Sequence, residues 1–399
     1  WRTTFQKQYA RYWRDRGVFG SALNPATGIM SRTFTVGDFA NPGIHAQSDL
    51  AGFASTGAIR HAWVVGGDFF SRTSLYKSTV PVPYEPVNIF IPTDSRAPIP
   101  APRSLAFYND PQEKFGGVFL QDQLTLGRLQ ILGGLRINVY RRDYTNRVNG
   151  QHILTDSNTV APRIGVSYRL TQSLMGYASW ARSFVPVAGN TSAGVPFQPT
   201  RGEQVEAGLK SELLNRRLLG TFSIFSLTKS NVTAVDPLNP AFSIQVGEQR
   251  TRGIEMETRG SLTREWNVAA SYALLNSRVQ RDTIYPAGNL LPNTPRHGGN
   301  LWTTYDFSRG RIQGFGLSGG FYSVTARQGD LLNTFQLPGY ASVDLAASYR
   351  VVRQDKLRSR LQIQVLNVLD RKYYESAGSR FGIYPGSPRA LRVTMQVYF

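Results

Sequence analysis

The sequence predicts an all-β fold: a transmembrane antiparallel β-barrel with about sixteen strands visible, set in a bacterial outer membrane. Three observations predict it. Apolar and polar residues alternate with a period of two over segments that often reach ten residues, the length of a tilted bilayer span. Short turns alternate with long polar or Pro-rich connections. No run of eighteen apolar residues occurs, which excludes helical spans, while Tyr (19), Phe (22) and Gly (38) are plentiful, as suits strands.

The alternation is readable strand by strand. Ile164, Val166, Tyr168 and Leu170 oppose Arg163, Ser167 and Arg169. Ile254, Met256 and Thr258 oppose Glu255, Glu257 and Arg259. Trp266, Val268, Ala270, Tyr272 and Leu274 oppose Asn267 and Ser271. Ala341, Val343, Leu345, Ala347 and Tyr349 oppose Ser342, Asp344, Ser348 and Arg350. Leu361, Ile363 and Val365 oppose Arg360, Gln362 and Gln364. Leu391, Val393, Met395, Val397 and Phe399 oppose Arg392, Thr394, Gln396 and Tyr398. Charged residues in mid-strand point to a hydrated lumen rather than a sandwich surface. Trp180, Trp266, Trp302, Tyr305 and Phe399 lie near strand ends, where interfacial girdles form.

Tight turns are expected at Gly127–Arg128, Thr171–Ser173 and Thr263–Glu265, and long loops at Ser78–Glu113, Pro186–Arg201, Pro237–Gln249, Gln280–Arg296 and Lys372–Pro388. No linker or charge run marks a second domain, so residues 1–399 read as one barrel domain.

Composition narrows the chemistry. There is no cysteine, hence no disulfide framework and no thiolate metal site. The four histidines, His45, His61, His152 and His297, have no metal-ligand spacing. The formal charge is +19, but Lys and Arg are dispersed, which argues against a nucleic-acid interface and for anionic lipid at the rims or an attractive lumen. The chain opens at Trp1 without a signal peptide, as expected of a mature or partial chain.

Several segments resemble the TonB-dependent outer-membrane receptors, most closely those for ferric siderophores. They are Val118-Phe119-Leu120-Gln121-Asp122-Gln123 and Leu132-Gly133-Gly134-Leu135-Arg136. Next come Ala161–Val166, Tyr177–Phe184, Gln204–Lys210 and Thr251–Glu257. The last are Leu366-Asn367-Val368-Leu369-Asp370-Arg371-Lys372-Tyr373-Tyr374, then Tyr384–Arg389 and terminal Phe399. Their order spans nearly the whole chain. Gly208 and Gly253 read as points of close backbone approach, and Asn367 and Asp370 as side chains that build a turn. The resemblance implies uptake of a ferric chelate as cargo, with no resident cofactor. It also implies a Gram-negative outer membrane, contact with lipid and lipopolysaccharide, and insertion by the barrel assembly machinery. It assigns Phe399 the role of assembly signal and implies that the last strand pairs with the first. Family members place an N-terminal plug inside twenty-two strands. No plug pattern is found here, so this chain looks like the last sixteen. Coupling to the TonB energy-transducing complex is expected if a plug lies upstream.

Aromatic and basic groups in long loops suit an anionic or catecholate chelate. The candidate ligand contacts are Tyr84, Phe90 and Tyr108 in the first long loop, and Phe381 and Tyr384 in the last, each weighed against simple loop packing. No enzyme site emerges. Glu203, Glu206, Glu255 and Glu257 read as a lumenal charge ladder, the last two paired with Arg252 and Arg259. Gly66–Gly67 and Gly319–Gly320 lack a following Lys-Ser/Thr, and no Ser sits in a nucleophile elbow. Two other readings compete with the receptor: a passive porin, and a plugless remnant serving as a scaffold in an envelope assembly.

Overall fold

The structure, a computed structural model, describes residues 1–92, 98, 104–236, 238–239, 242–353, 357–380 and 382–398. β1 (Arg2–Gln8) runs to one end of the wall, where the hairpin β2 (Arg11–Asn24) and β3 (Ile29–Ala40) stands beyond it, and β4 (Gly43–Thr56) returns. After a two-residue turn at Gly57–Ala58, β5 (Ile59–Thr73) climbs again. β6 (Leu75–Thr79), β7 (Val82–Asn88) and β8 (Leu105–Asn109) form a long excursion before β9 (Gln112–Leu126) descends. Up-and-down strands follow: β10 (Leu129–Thr145), β11 (His152–Arg169), β12 (Leu174–Val185), β13 (Thr200–Leu213) and β14 (Leu218–Val235). β15 (Ser243–Ser261), β16 (Trp266–Arg281), β17 (His297–Asp306) and β18 (Phe315–Val324) continue the pattern. β19 (Arg327–Gln328) and β20 (Gln336–Leu337) fill one loop before β21 (Tyr340–Arg353) and β22 (Leu357–Leu366). β23 (Tyr374–Ser379) and β24 (Gly382–Pro385) fill another, and β25 (Ala390–Tyr398) is last.

One antiparallel sheet of sixteen strands forms the wall, in the order β1-β4-β5-β9-β10-β11-β12-β13-β14-β15-β16-β17-β18-β21-β22-β25. The count agrees with the alternation. Closure does not: no ladder joins β25 to β1 among the described residues, and β25 pairs β22 alone. Alternation tells which face of a strand is wet. Closure depends on the tilt and shear of the entire sheet, which no strand encodes by itself.

The two faces follow the sequence pattern. On β10, Ile137 stands between Val118 of β9 and Val160 of β11, and all three are well exposed, as befits side chains solvated by hydrocarbon. The alternate residues Asn138 and Tyr140 are buried on the other face. Trp266 faces Tyr305 across the β16–β17 ladder beside a short turn, and its indole donates to Thr303 Oγ1 at 2.6 Å, a girdle position as expected. Trp302 corrects that expectation. It lies one residue out of phase with Leu301 and Tyr305, on the other face, with its ring packed where Gly320 has no side chain. Phe399 lies outside the described residues.

Gly208 answers its predicted role: a Cβ there would come within 2.3 Å of the Phe222 carbonyl oxygen. The Asn367 and Asp370 turn also forms. Both residues adopt positive φ (46° and 49°). Asn367 Oδ1 accepts from the Arg371 N–H at 2.9 Å, and Asp370 Oδ1 accepts from the Arg389 N–H at 3.0 Å.

The expected loops at Ser78–Glu113, Pro237–Gln249, Gln280–Arg296 and Lys372–Pro388 are partly strand. Beyond the wall, β2, β3, β6 and β8 make a second sheet, with β7 against β3. A file of rings, Tyr12, Phe39, Tyr76 and Phe107, crosses it at centroid spacings of 4.8, 4.7 and 6.3 Å. Loops of this length satisfy their backbone groups by pairing with one another.

The two faces make opposite demands on charge. Ile363→Arg, on the hydrocarbon side of β22, is expected to cost about 2–4 kcal/mol in urea unfolding from lipid vesicles. Its neighbour Gln362→Arg, on the wet side, is expected to cost less than about 1 kcal/mol.

Candidate functional site

The inner face of β5, β9 and β10 carries the densest polar network. The Arg136 guanidinium donates to both carboxylate oxygens of Asp68, each at 2.7 Å, and its Nε donates to Asn138 Oδ1 at 2.6 Å. The same guanidinium lies 5.8 and 5.7 Å from the ring centroids of Phe115 and Phe119. Above it, Glu113 receives Arg72 and, at 3.5 Å, Arg142, with the Tyr140 hydroxyl donating at 3.4 Å. Bidentate arginine–carboxylate pairs of this kind fix geometry strongly. Their role here is to brace the lumen wall. The motif Leu132–Arg136 signalled the arginine. Its partner Asp68 follows Gly66–Gly67, a pair weighed from sequence only as a phosphate cradle and set aside.

The mid-strand carboxylates are arranged differently from the expected ladder. Among the described residues, neither Glu255 nor Glu257 has an ion-pair partner, and Arg252 lies on the opposite face of β15 by alternation. Glu203 instead pairs with Arg182 across strands at 2.9 Å, and Glu206 accepts from the Tyr177 hydroxyl at 2.6 Å and from Gln204 at 2.8 Å.

The predicted ligand contacts fall on two separate loop sheets. Tyr84, on β7, packs against Phe34 with centroids 6.3 Å apart and under the Arg32 guanidinium at 5.1 Å. Tyr108, on β8, sits beneath Lys77 Nζ at 4.4 Å and Arg147 at 5.6 Å. Phe90 follows β7, largely exposed, with its ring against Gly28. Tyr384 lies on β24, opposite Ser376 and mostly exposed. Phe381 lies outside the described residues.

A cavity of about 450 Å³ opens where the upper part of β16 leaves β17. Arg252, Arg278, Arg296 and Arg327 line it with Phe225, Leu275, Ser277 and Gln328, and no carboxylate does. Arg327 is buried and holds the loops together, donating to the Tyr374 carbonyl and, at 2.7 Å, to the Glu375 carbonyl. Gln328 is also buried, and its Oε1 accepts no hydrogen bond from the described residues. The cavity is of ligand size and favours negative charge. Sequence reasoning missed it because four scattered arginines converge only through the fold.

Residues 1–368 match the family model described as TonB dependent receptor-like, beta-barrel. The metal-pseudopaline receptor of Pseudomonas aeruginosa is 32% identical over 377 residues, covering 88% of this chain and 51% of that protein. The ferrichrome outer membrane transporter/phage receptor of Escherichia coli is 29% identical, covering 95% of this chain and 52% of that protein. The chain therefore spans about half the length of these curated relatives. In fold, it is similar to the ferric preacinetobactin receptor of Acinetobacter baumannii, with a TM-score of 0.84 at 21% identity, covering 98% of this chain and 59% of that one.

The Asp68–Arg136 brace is open to measurement. Asp68→Ala leaves a half-buried guanidinium without its carboxylate and is expected to lower unfolding stability by about 2 kcal/mol. Asp68→Asn, which keeps an acceptor, is expected to lose roughly half of that.

Proposed function

From the premise that the chain belongs to the TonB-dependent receptor family and is its β-barrel, we propose that it is the wall of an outer-membrane receptor that imports ferric siderophores or related metal chelates. The carrying observation is the arginine-lined cavity at the long-loop end, which no carboxylate neutralises. Iron-binding chelates are commonly anionic, and such a cavity attracts them. Tyr84, Phe90, Tyr108 and Tyr384 are proposed as further contacts, the aromatic rings stacking on the chelate.

The metal enters as cargo, held by its chelator. The relatives are receptors and transporters by name, and this reading assigns the chain no catalytic step. Energy would come through the TonB complex acting on a plug, and insertion through the barrel assembly machinery. The porin reading is the weaker one, because a self-contained channel of sixteen strands needs the ladder between β25 and β1, which is not formed among the described residues.

Uptake of radiolabelled ferric chelates by cells whose only such receptor is the full-length protein tests the proposal. Saturable accumulation, abolished by a protonophore, is expected for at least one chelate. Arg296→Ala is expected to raise the half-saturating concentration several-fold for an anionic chelate. Failure to accumulate any ferric or other metal chelate would sink the receptor reading.

A further inference from the structure

Two features share the outer face of β5, β9 and β10. The first is a histidine–carboxylate contact in the apolar belt. His61 Nδ1 lies 2.7 Å from Asp122 Oδ2. Alternation puts both on the hydrocarbon side: Asp122 is in phase with the exposed Leu120 and Leu126, and His61 is in phase with Trp63 and the exposed Val65. About a third of the Asp122 side chain (35%) remains exposed. Moreover, His61 Nε2 and Asp122 Oδ1 are buried and have no hydrogen-bond partner among the described residues. Ionisable groups in this setting are costly and call for a partner.

The second feature is a groove of about 510 Å³, further along the same strands. Gly67 and Gly116 form its floor, and Phe69, Val118, Ile137 and Val139 are among the residues that wall it. The glycines face outward in the register, so the depression opens on the membrane. Thr3 and Ser48 at its margin bond each other at 3.1 Å. The natural occupant of an apolar depression in this belt is a hydrocarbon chain.

The spacing connects the two features. Gly116 and Asp122 are six residues apart on β9, as are Gly67 and His61 on β5. Six residues span about 20 Å of strand. With the strand tilted by about 45°, this is roughly 14 Å along the bilayer normal, close to half of a hydrocarbon core of about 30 Å. The pair lies toward the short-turn end, with Trp63 beside it, and the groove lies toward the bilayer middle.

We propose that this face binds one phospholipid of the periplasmic leaflet, with a zwitterionic, ammonium-bearing headgroup. The ammonium group pairs with Asp122, and one acyl chain occupies the groove over Gly67 and Gly116. Charge complementarity selects the headgroup: an ammonium group answers Asp122, whereas a purely anionic lipid meets it with like charge.

Native mass spectrometry of the full-length receptor tests the site, using detergent micelles doped equally with phosphatidylethanolamine and phosphatidylglycerol. One retained phosphatidylethanolamine per receptor is expected, in at least fivefold excess over phosphatidylglycerol. Gly116→Leu fills the groove, and its Cβ would meet nothing nearer than 3.4 Å. This variant is expected to cut retention at least fivefold with the heat-modifiable gel shift unchanged. Asp122→Asn is expected to keep lipid bound but lose the headgroup preference. Equal retention of both lipids by the unaltered receptor would overturn the proposal. So would undiminished retention in Gly116→Leu, or recovery of lipopolysaccharide in place of phospholipid.

Discussion

The whole wall depends on one requirement: a backbone crossing hydrocarbon must satisfy its N–H and C=O groups within the protein. Strands meet it by pairing edge to edge, as the strands between β1 and β25 do on both sides in the sixteen-stranded ladder. Side chains stand out from the ladder in strict alternation, and every other property of the wall follows from which side each one takes.

On the outer side, the usual relation between burial and hydrophobicity is inverted. Ile137, Val118 and Val160 are exposed, while Asn138 and Tyr140 on the inner side are buried. The inner side must carry charge without leaving it isolated, and it does so by cross-strand pairing, as in Asp68 with Arg136 and Glu113 with Arg72 and Arg142. The pairing is uneven. It is dense on β5, β9 and β10, whereas Glu255 and Glu257 on β15 stand without ionic partners among the described residues. At the long-loop end, the cavity beside β16 is lined by four arginines and no carboxylate.

Much of this was legible in the residues, because a period of two is a local signal. Leu391, Val393, Met395 and Val397 announced a hydrocarbon-facing edge, and Asn367 with Asp370 announced a turn. Relations between distant strands were not legible. Nothing near Arg136 names Asp68, and the arginines of the cavity come from different strands and loops. Trp302 looked like a girdle residue by composition and position, but its phase relative to Leu301 puts it on the other face. The long connections read as loops because their Pro and Gly content is high, yet β7 forms there by pairing with β3, β8 by pairing with β6, and β23 and β24 by pairing with each other. Closure of the wall is a property of all strands together and has no local signature.

The ring file of Tyr12, Phe39, Tyr76 and Phe107 binds the outlying strands into a folded platform. Most surface connections freeze when something lands on them, and that ordering is subtracted from the binding energy. A platform already held in shape by stacked rings spares part of this loss. It also presents a shape assembled from distant stretches of chain, so antibodies that recognise it would fail against linear peptides from the same region.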